Sequence, residues 1–178
     1  MLPWGHAAVG YLVYSAYSRV RNGGVPAGLA VVALAVGTQF PDLVDKPLAW
    51  TFGILPSGRS LAHSVFALAM VGGLVFWLAR RRDAVPAAVA FVVGWATHLV
   101  GDAYKLFLGE PTCVRYMIWP LAACPYDEAD RSIIDFFLAL DLGAVLPEFA
   151  LAGVAGSVWL YDGARGLRYL LEKVGLRE

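Results

Sequence analysis

Long runs of apolar residues, almost free of charge, limit what this chain can fold into more than any other feature. Five such stretches, residues 2–18, 25–40, 60–79, 84–107 and 133–161, are separated by segments containing charge, proline or glycine. A bilayer's hydrocarbon core of about 30 Å is crossed by roughly 20 helical residues at about 1.5 Å rise each, and the stretches have about that length. Only 16% of the 178 residues are charged and 59% are hydrophobic, where a soluble domain carries about 25% charge. The apolar surplus needs lipid or a partner to cover it. The expected fold is therefore all-α, a polytopic membrane bundle of about five transmembrane helices over residues 1–161. An amphipathic tail over 162–178 follows, with Leu167, Leu170 and Leu171 spaced to lie at the membrane interface. Pro41 is expected to stop the second helix, Arg80 to Asp83 to form a tight hairpin turn, and Pro147 to kink the fifth helix.

Fourteen basic and fourteen acidic residues cancel, so no global field favours nucleic acid, and none is expected as a partner. Placement carries the information. Arg19, Arg21, Arg80, Arg81, Arg82, Arg165, Arg168, Lys173 and Arg177 fall on one side of the expected bundle. Lys46, Arg59, Lys105, Arg115 and Arg131 fall on the other, in longer loops that hold most of the acids. Basic residues accumulate in short cytoplasmic loops, which puts the N-terminus outside, the C-terminus inside and the acidic loops on the extracytoplasmic face of a cell membrane. A cleaved signal peptide is the rival reading of residues 1–18, but a basic leading segment is missing. The outer loops, 42–59 and about 109–131, are long and polar, as functional loops are. Cys113 and Cys124 share the second of them. They are either a disulfide, which an extracytoplasmic loop permits, or two unrelated small apolar residues.

All three histidines, His6, His63 and His98, fall at the outer ends of expected helices. His98 and Asp102 are four apart and share a helix face, while Asp42 and Asp45 follow Pro41. Ionisable groups at membrane depth are costly and turn inward toward partners. Taken singly, each histidine could be a satisfied interfacial residue and each aspartate a helix cap; six together on one face point to a metal. Nitrogen and carboxylate ligands suit zinc foremost, or manganese or iron(II), as one ion or two. Paired ions are typical of phosphoester and peptide hydrolysis. His6, Asp42, His63, His98 and Asp102 are the expected metal ligands, and Asp45, Arg59 and Asp135 the expected catalytic residues. Asp45 could equally orient a histidine, Arg59 could bind phosphate in a bidentate fork or simply snorkel, and Asp135 could supply a ligand or a base. Ser60 is expected to cap the third helix, with Ser64 a nearby hydrogen-bond donor. Asp141 and Glu148 share a face; they read as a proton path, a further ligand set or a satisfied polar cluster. Gly72, Gly73, Gly94 and Gly101 are expected to allow close helix approach. Since the sequence contains no nucleophile elbow, phosphate-binding glycine loop or Cys-His pair, attack by metal-bound hydroxide is the mechanism left.

An amino-terminal Trp4, Gly5 and His6, a Pro41-Asp42 to Asp45 segment, Arg59 four before His63-Ser64, and a His98 to Asp102 helix, in that order over residues 4–105, resemble the YdjM-like membrane-bound metal-dependent hydrolases. The order of ligands is also distantly similar to that of the zinc-dependent phospholipase C and nuclease group. The resemblance implies a membrane-embedded hydrolase. Its expected substrate is an amphiphile carrying a phosphoester, such as a phospholipid or polyprenyl phosphate, reached laterally from the bilayer. A non-enzymatic metal-binding or transport protein is the main alternative, and a structural membrane partner without metal the next.

Overall fold

The computed structural model describes residues 1–125, 134, 138 and 142–176, and among them all regular structure is helical. In chain order the helices are α1 (Pro3–Asn22), α2 (Gly28–Lys46), α3 (Val65–Arg80), α4 (Val85–Asp102), the short α5 (Tyr104–Phe107), α6 (Leu142–Tyr161) and α7 (Arg165–Lys173). A π-helical turn, Pro47–Thr51, extends α2, and a 3₁₀ turn, Arg115–Ile118, interrupts the following long loop. Asp135 and Asp141 lie outside the described residues.

Local chemistry explains most boundaries. Prolines at the start of α1 and α4 occupy positions whose N–H would have no helical partner. Gly23 closes α1 in the left-handed conformation, φ 69°, its N–H bonded to the Arg19 carbonyl. The cap of α3 is Ser64, whose hydroxyl accepts the Phe66 N–H at 3.2 Å, so the helix begins at Val65 and not at Ser60. The other departure is at Pro41, which sits inside α2. A proline in a helix interior costs about 3 kcal/mol. Here the helix continues because its next turn carries Asp45, whose carboxylate accepts the N–H groups of Ser60, Ala62 and His63 at 2.8, 2.8 and 3.2 Å.

Among the described residues two helical segments, Gly28–Thr51 and Val85–Asp102, are long and apolar enough to cross a membrane. The apolar segments Val65–Arg80 and Val145–Tyr161 are shorter, and α1 buries His6, Ser15 and Ser18 among its core residues. The closest packing in the fold joins α2 to α4. A Cβ on Gly94 would stand 2.6 Å from the Leu34 carbonyl oxygen, and one on Gly37 would collide with the Phe91 backbone. Tyr11, Tyr14, Ala30, Val31, Leu34 and Ala90 form a core where α1 meets this pair. Trp95 fills a second core with Ala62 and Leu99 and donates its indole N–H to the Ala62 carbonyl at 2.8 Å. Large apolar side chains such as Met70, Leu74 and Trp77 on α3, and Leu146, Phe149 and Leu160 on α6, face outward.

Helix α6 runs parallel to α1 and is tied to it at two levels. Near one end Glu148 accepts the Leu2 N–H at 2.7 Å; near the other, just past α6, buried Asp162 accepts from Tyr11 Oη at 2.7 Å, from Ser15 Oγ at 3.0 Å and from Arg19. Helix α7 folds back on α2, with Gly28 against Tyr169 and Gly166 against Val31, leaving Leu167 and Leu170 about half exposed.

Since Gly94 faces backbone, Gly94→Leu is expected to overpack the α2–α4 contact and lower stability by about 1–3 kcal/mol or more. A Cβ on Gly73 would meet nothing within 4 Å, so Gly73→Ala should be neutral or raise stability by up to about 1 kcal/mol. Thermal unfolding of both variants in detergent checks the pair; equal effects would refute the backbone-contact account.

Candidate metal centre

Side chains from four separate segments meet at the end of the bundle where α1 begins and α2 and α4 finish. His6 is on the opening turn of α1, Asp42 and Asp45 on the last turns of α2, and His98 and Asp102 on the last turns of α4. His63 comes from the irregular segment that leads into α3. All three histidines are fully buried. The rings of His6 and His98 stack with centroids 3.7 Å apart, and the Nε2 atoms of His98 and His63 are separated by 3.2 Å.

What each ring presents to the others is fixed from behind. His98 Nδ1 lies 2.7 Å from the Thr38 carbonyl oxygen. A carbonyl only accepts, so Nδ1 carries the proton and, in a neutral ring, Nε2 presents a lone pair. His63 Nδ1 lies 2.8 Å from Asp45 Oδ2, and the same reasoning turns its Nε2 lone pair forward. Two lone pairs facing each other at this distance repel; a proton or a cation has to lie between them.

Asp42 completes the face. Its Oδ1 is 3.6 Å from His63 Nε2 and 3.7 Å from His98 Nε2, and its Oδ2 is held by Lys46 at 2.6 Å. Ligands about 2.0–2.1 Å from a tetrahedral zinc stand about 3.3–3.4 Å from one another, close to these separations. The buried His63 and His98 with the partly buried Asp42 could therefore hold a metal ion, as could His6, His98 and Asp102. Because His98 Nδ1 is occupied by Thr38, both groups draw on the same His98 Nε2; they are overlapping settings of one place. Asp102 borders it with both oxygens. Its Oδ1 is 3.2 Å from His6 Nε2 and 3.0 Å from the Met1 nitrogen. Its Oδ2 accepts the Arg59 Nε–H at 2.7 Å and lies 3.5 Å from His63 Nε2 and 4.0 Å from His98 Nε2. Neither ring nitrogen of His6 completes a hydrogen bond among the described residues. The donor set, two outward lone pairs, carboxylates and no thiolate, fits a borderline-hard divalent ion.

The sequence expectations thus distribute as follows. His6, Asp42, His63, His98 and Asp102 converge. Asp45 stands behind His63, bonded to its Nδ1 and to three backbone N–H groups, and outside the converging ligand atoms. Arg59 is on Asp102. Glu148 supports the start of α1, so close that a Cβ on Gly5 would stand 2.5 Å from its Oε2. Sequence reasoning missed two participants. The Thr38 carbonyl is backbone and leaves no trace in residue type. Tyr116 belongs to the loop closed by the Cys113–Cys124 disulfide, whose Cα atoms are 5.9 Å apart, and packs edge-on against His63 at 5.9 Å between centroids. Its position inside an eleven-residue Cys-to-Cys interval is the one signal that could have drawn attention to it. Ser64 joins this loop to the site by donating to the Trp119 carbonyl at 2.7 Å.

No curated protein and no solved structure matches the chain. The YdjM inner membrane protein family matches over residues 1–147, a stretch that contains every member of the converging cluster. The chain belongs to the YdjM inner membrane protein family.

Proposed function

We propose that this protein is a membrane-embedded, metal-dependent hydrolase acting on a phosphoester of an amphiphile. The observation that carries the reading is the 3.2 Å approach of the His63 and His98 Nε2 atoms, each turned forward by a partner on its Nδ1, with Asp42 Oδ1 beside both. His63, His98 and Asp42 are the ligands of one divalent ion, zinc foremost. Such an ion supplies Lewis acidity and lowers the pKa of a bound water. Asp45 keeps His63 in the ligand tautomer. Asp102, buried between His6 and Arg59, is kept ionised by Arg59 and helps to hold the ion's surroundings negative, while the partly exposed Arg59 faces an anionic substrate.

Several features support placing this site at the membrane surface and outside the cell. The reading keeps five spans, formed by α1 to α4 and α6, with the N-terminus outside; the parallel course of α1 and α6, and the histidine cluster at the opposite end from the Arg80 to Arg82 turn, agree with it. A disulfide beside the site suits an oxidising compartment. An apolar cleft of about 280 Å³, lined by Leu61, Phe66, Met70 and Trp119 among others, flanks His63 through Ala62 and Ser64, which suits a substrate with an apolar portion. A second reading has its own observation. Asp102 Oδ2 is 3.5 Å from His63 Nε2; drawn in as a fourth protein ligand it would close the site, as in structural or carrier sites.

Elemental analysis of the detergent-purified protein should find about one divalent ion per chain, lost in His98→Ala. Asp45→Asn should bind metal about 10- to 100-fold more weakly, and affinity should rise with pH because the ion displaces protons from imidazole. Metal content untouched by His98→Ala would refute the centre. Release of phosphate from polyprenyl phosphate, or of a phosphorylated headgroup or phosphatidic acid from a phospholipid, in mixed micelles and absent in His98→Ala, tests hydrolysis; a stoichiometric ion without turnover would move the assignment to a metal carrier.

A further inference from the structure

Beside the metal cluster a small pocket of about 150 Å³ is lined by Ser57, Arg59, Thr112 and Tyr116 and walled by Pro111 and the Cys113–Cys124 bridge. At about 30 Å³ for each water in the liquid, it has room for some five waters, enough for one tetrahedral anion with a small substituent and too little for a lipid tail. Tyr116 is the unusual member. Only 2% of it is exposed, yet its hydroxyl has no hydrogen-bond partner among the described residues. Its ring is held in place on two sides, by His63 at 5.9 Å and by the Arg59 guanidinium 5.9 Å from the ring centroid, and it interacts electrostatically with Asp102 as well as Arg59. Leaving a buried hydroxyl without a partner is costly, and native proteins rarely do so without a reason such as a ligand that supplies one.

We infer that Tyr116 is a substrate-contacting residue: its hydroxyl donates a hydrogen bond to an oxygen of a phosphate group seated in this pocket against the metal centre. The inference rests on the metal-centre reading above and deepens it, because it assigns the pocket to the anionic end of the ligand. A phenol is a donor at neutral pH, and a guanidinium at the same pocket favours an anion over a neutral carbonyl. The walls limit size. Pro111 and the disulfide are covalently stiff, so the pocket selects a phosphate carrying little bulk on that side, with any apolar chain directed elsewhere.

The test uses the full-length, metal-loaded protein in detergent, with inorganic phosphate titrated by calorimetry. Wild type should bind phosphate, and Tyr116→Phe should bind it about 10-fold or more weakly, the usual effect of losing a hydrogen bond to a charged group, at unchanged metal content. Thr112→Tyr, which narrows the pocket and keeps the tyrosine at 116, should weaken phosphate binding too and serves if Tyr116→Phe fails to fold. In a second arm phosphatidic acid in the micelle replaces inorganic phosphate. Tighter binding than inorganic phosphate assigns a lipid source and weaker binding a free one, and Tyr116→Phe should weaken whichever is preferred. Equal phosphate affinity in wild type and variants, or no phosphate binding by metal-loaded wild type, overturns the inference. Failure of the underlying reading is visible separately, as wild-type protein that takes up no divalent ion, and the inference then falls with it.

Discussion

The contact on which the rest depends is the backbone approach of α2 to α4 at Gly37 and Gly94. With no side chain between the helices, the Thr38 carbonyl comes within 2.7 Å of His98 Nδ1 and fixes which nitrogen of that ring faces the cluster. Thr38 and Asp42 are one helical turn apart on α2, as His98 and Asp102 are on α4. The same approach therefore sets the histidine tautomer and delivers both carboxylates to its other face. Small residues at helix crossings are the means by which helices in lipid pack tightly, since no hydrophobic force draws them together there. In this chain that packing also orients the chemistry.

Burying so many ionisable groups in a mostly apolar chain requires each to have a partner. Asp45 is the clearest case. It is completely buried, and the 60–63 segment wraps around it so that three backbone N–H groups and His63 Nδ1 share its two oxygens. That arrangement makes the loop as determined as a helix cap would, and it accounts for α2 passing Pro41. At the far end Asp162 plays a comparable part, gathering Tyr11, Ser15 and Arg19 of α1. With Glu148 holding Leu2, α1 is clamped to α6 at two levels, and His6 is held over His98.

The helical class, the order of the elements and the members of the cluster were legible because they follow from local signals: apolar run length, the four-residue spacing of His98 and Asp102, and histidines confined to one set of helix ends. The pairing of Cys113 with Cys124 was open in the sequence and is realised in the fold. Illegible features were those decided by distant partners. Pro41 looked like a stop because propensity is local, whereas the reward for continuing lies at residues 60–63. Ser60 was the expected cap, with Ser64 only a nearby donor; Asp45, by taking the Ser60 N–H, draws residue 60 into the loop, and Ser64 caps the helix instead. Glu148 could be read as part of a proton path, a further ligand set or a satisfied polar cluster; its partner, the Leu2 N–H at the start of α1, lies far away in sequence and could not be read from local signals.

Charge balance gives the arrangement its chemical direction. Among the described residues the carboxylates of Asp42, Asp45, Asp102 and Glu148 lie at or beside the site, and Lys46 and Arg59 each contact one of the aspartates. With neutral imidazoles these acids outnumber those cations, in surroundings where low polarity strengthens every electrostatic interaction. A proton on His63 offsets part of that excess. A divalent ion of the kind proposed above would offset more of it and make the same place less repellent to an anion. On the function proposed above, the cation would bind before the anion, and Arg59, in contact with Asp102, sits at the boundary between the two.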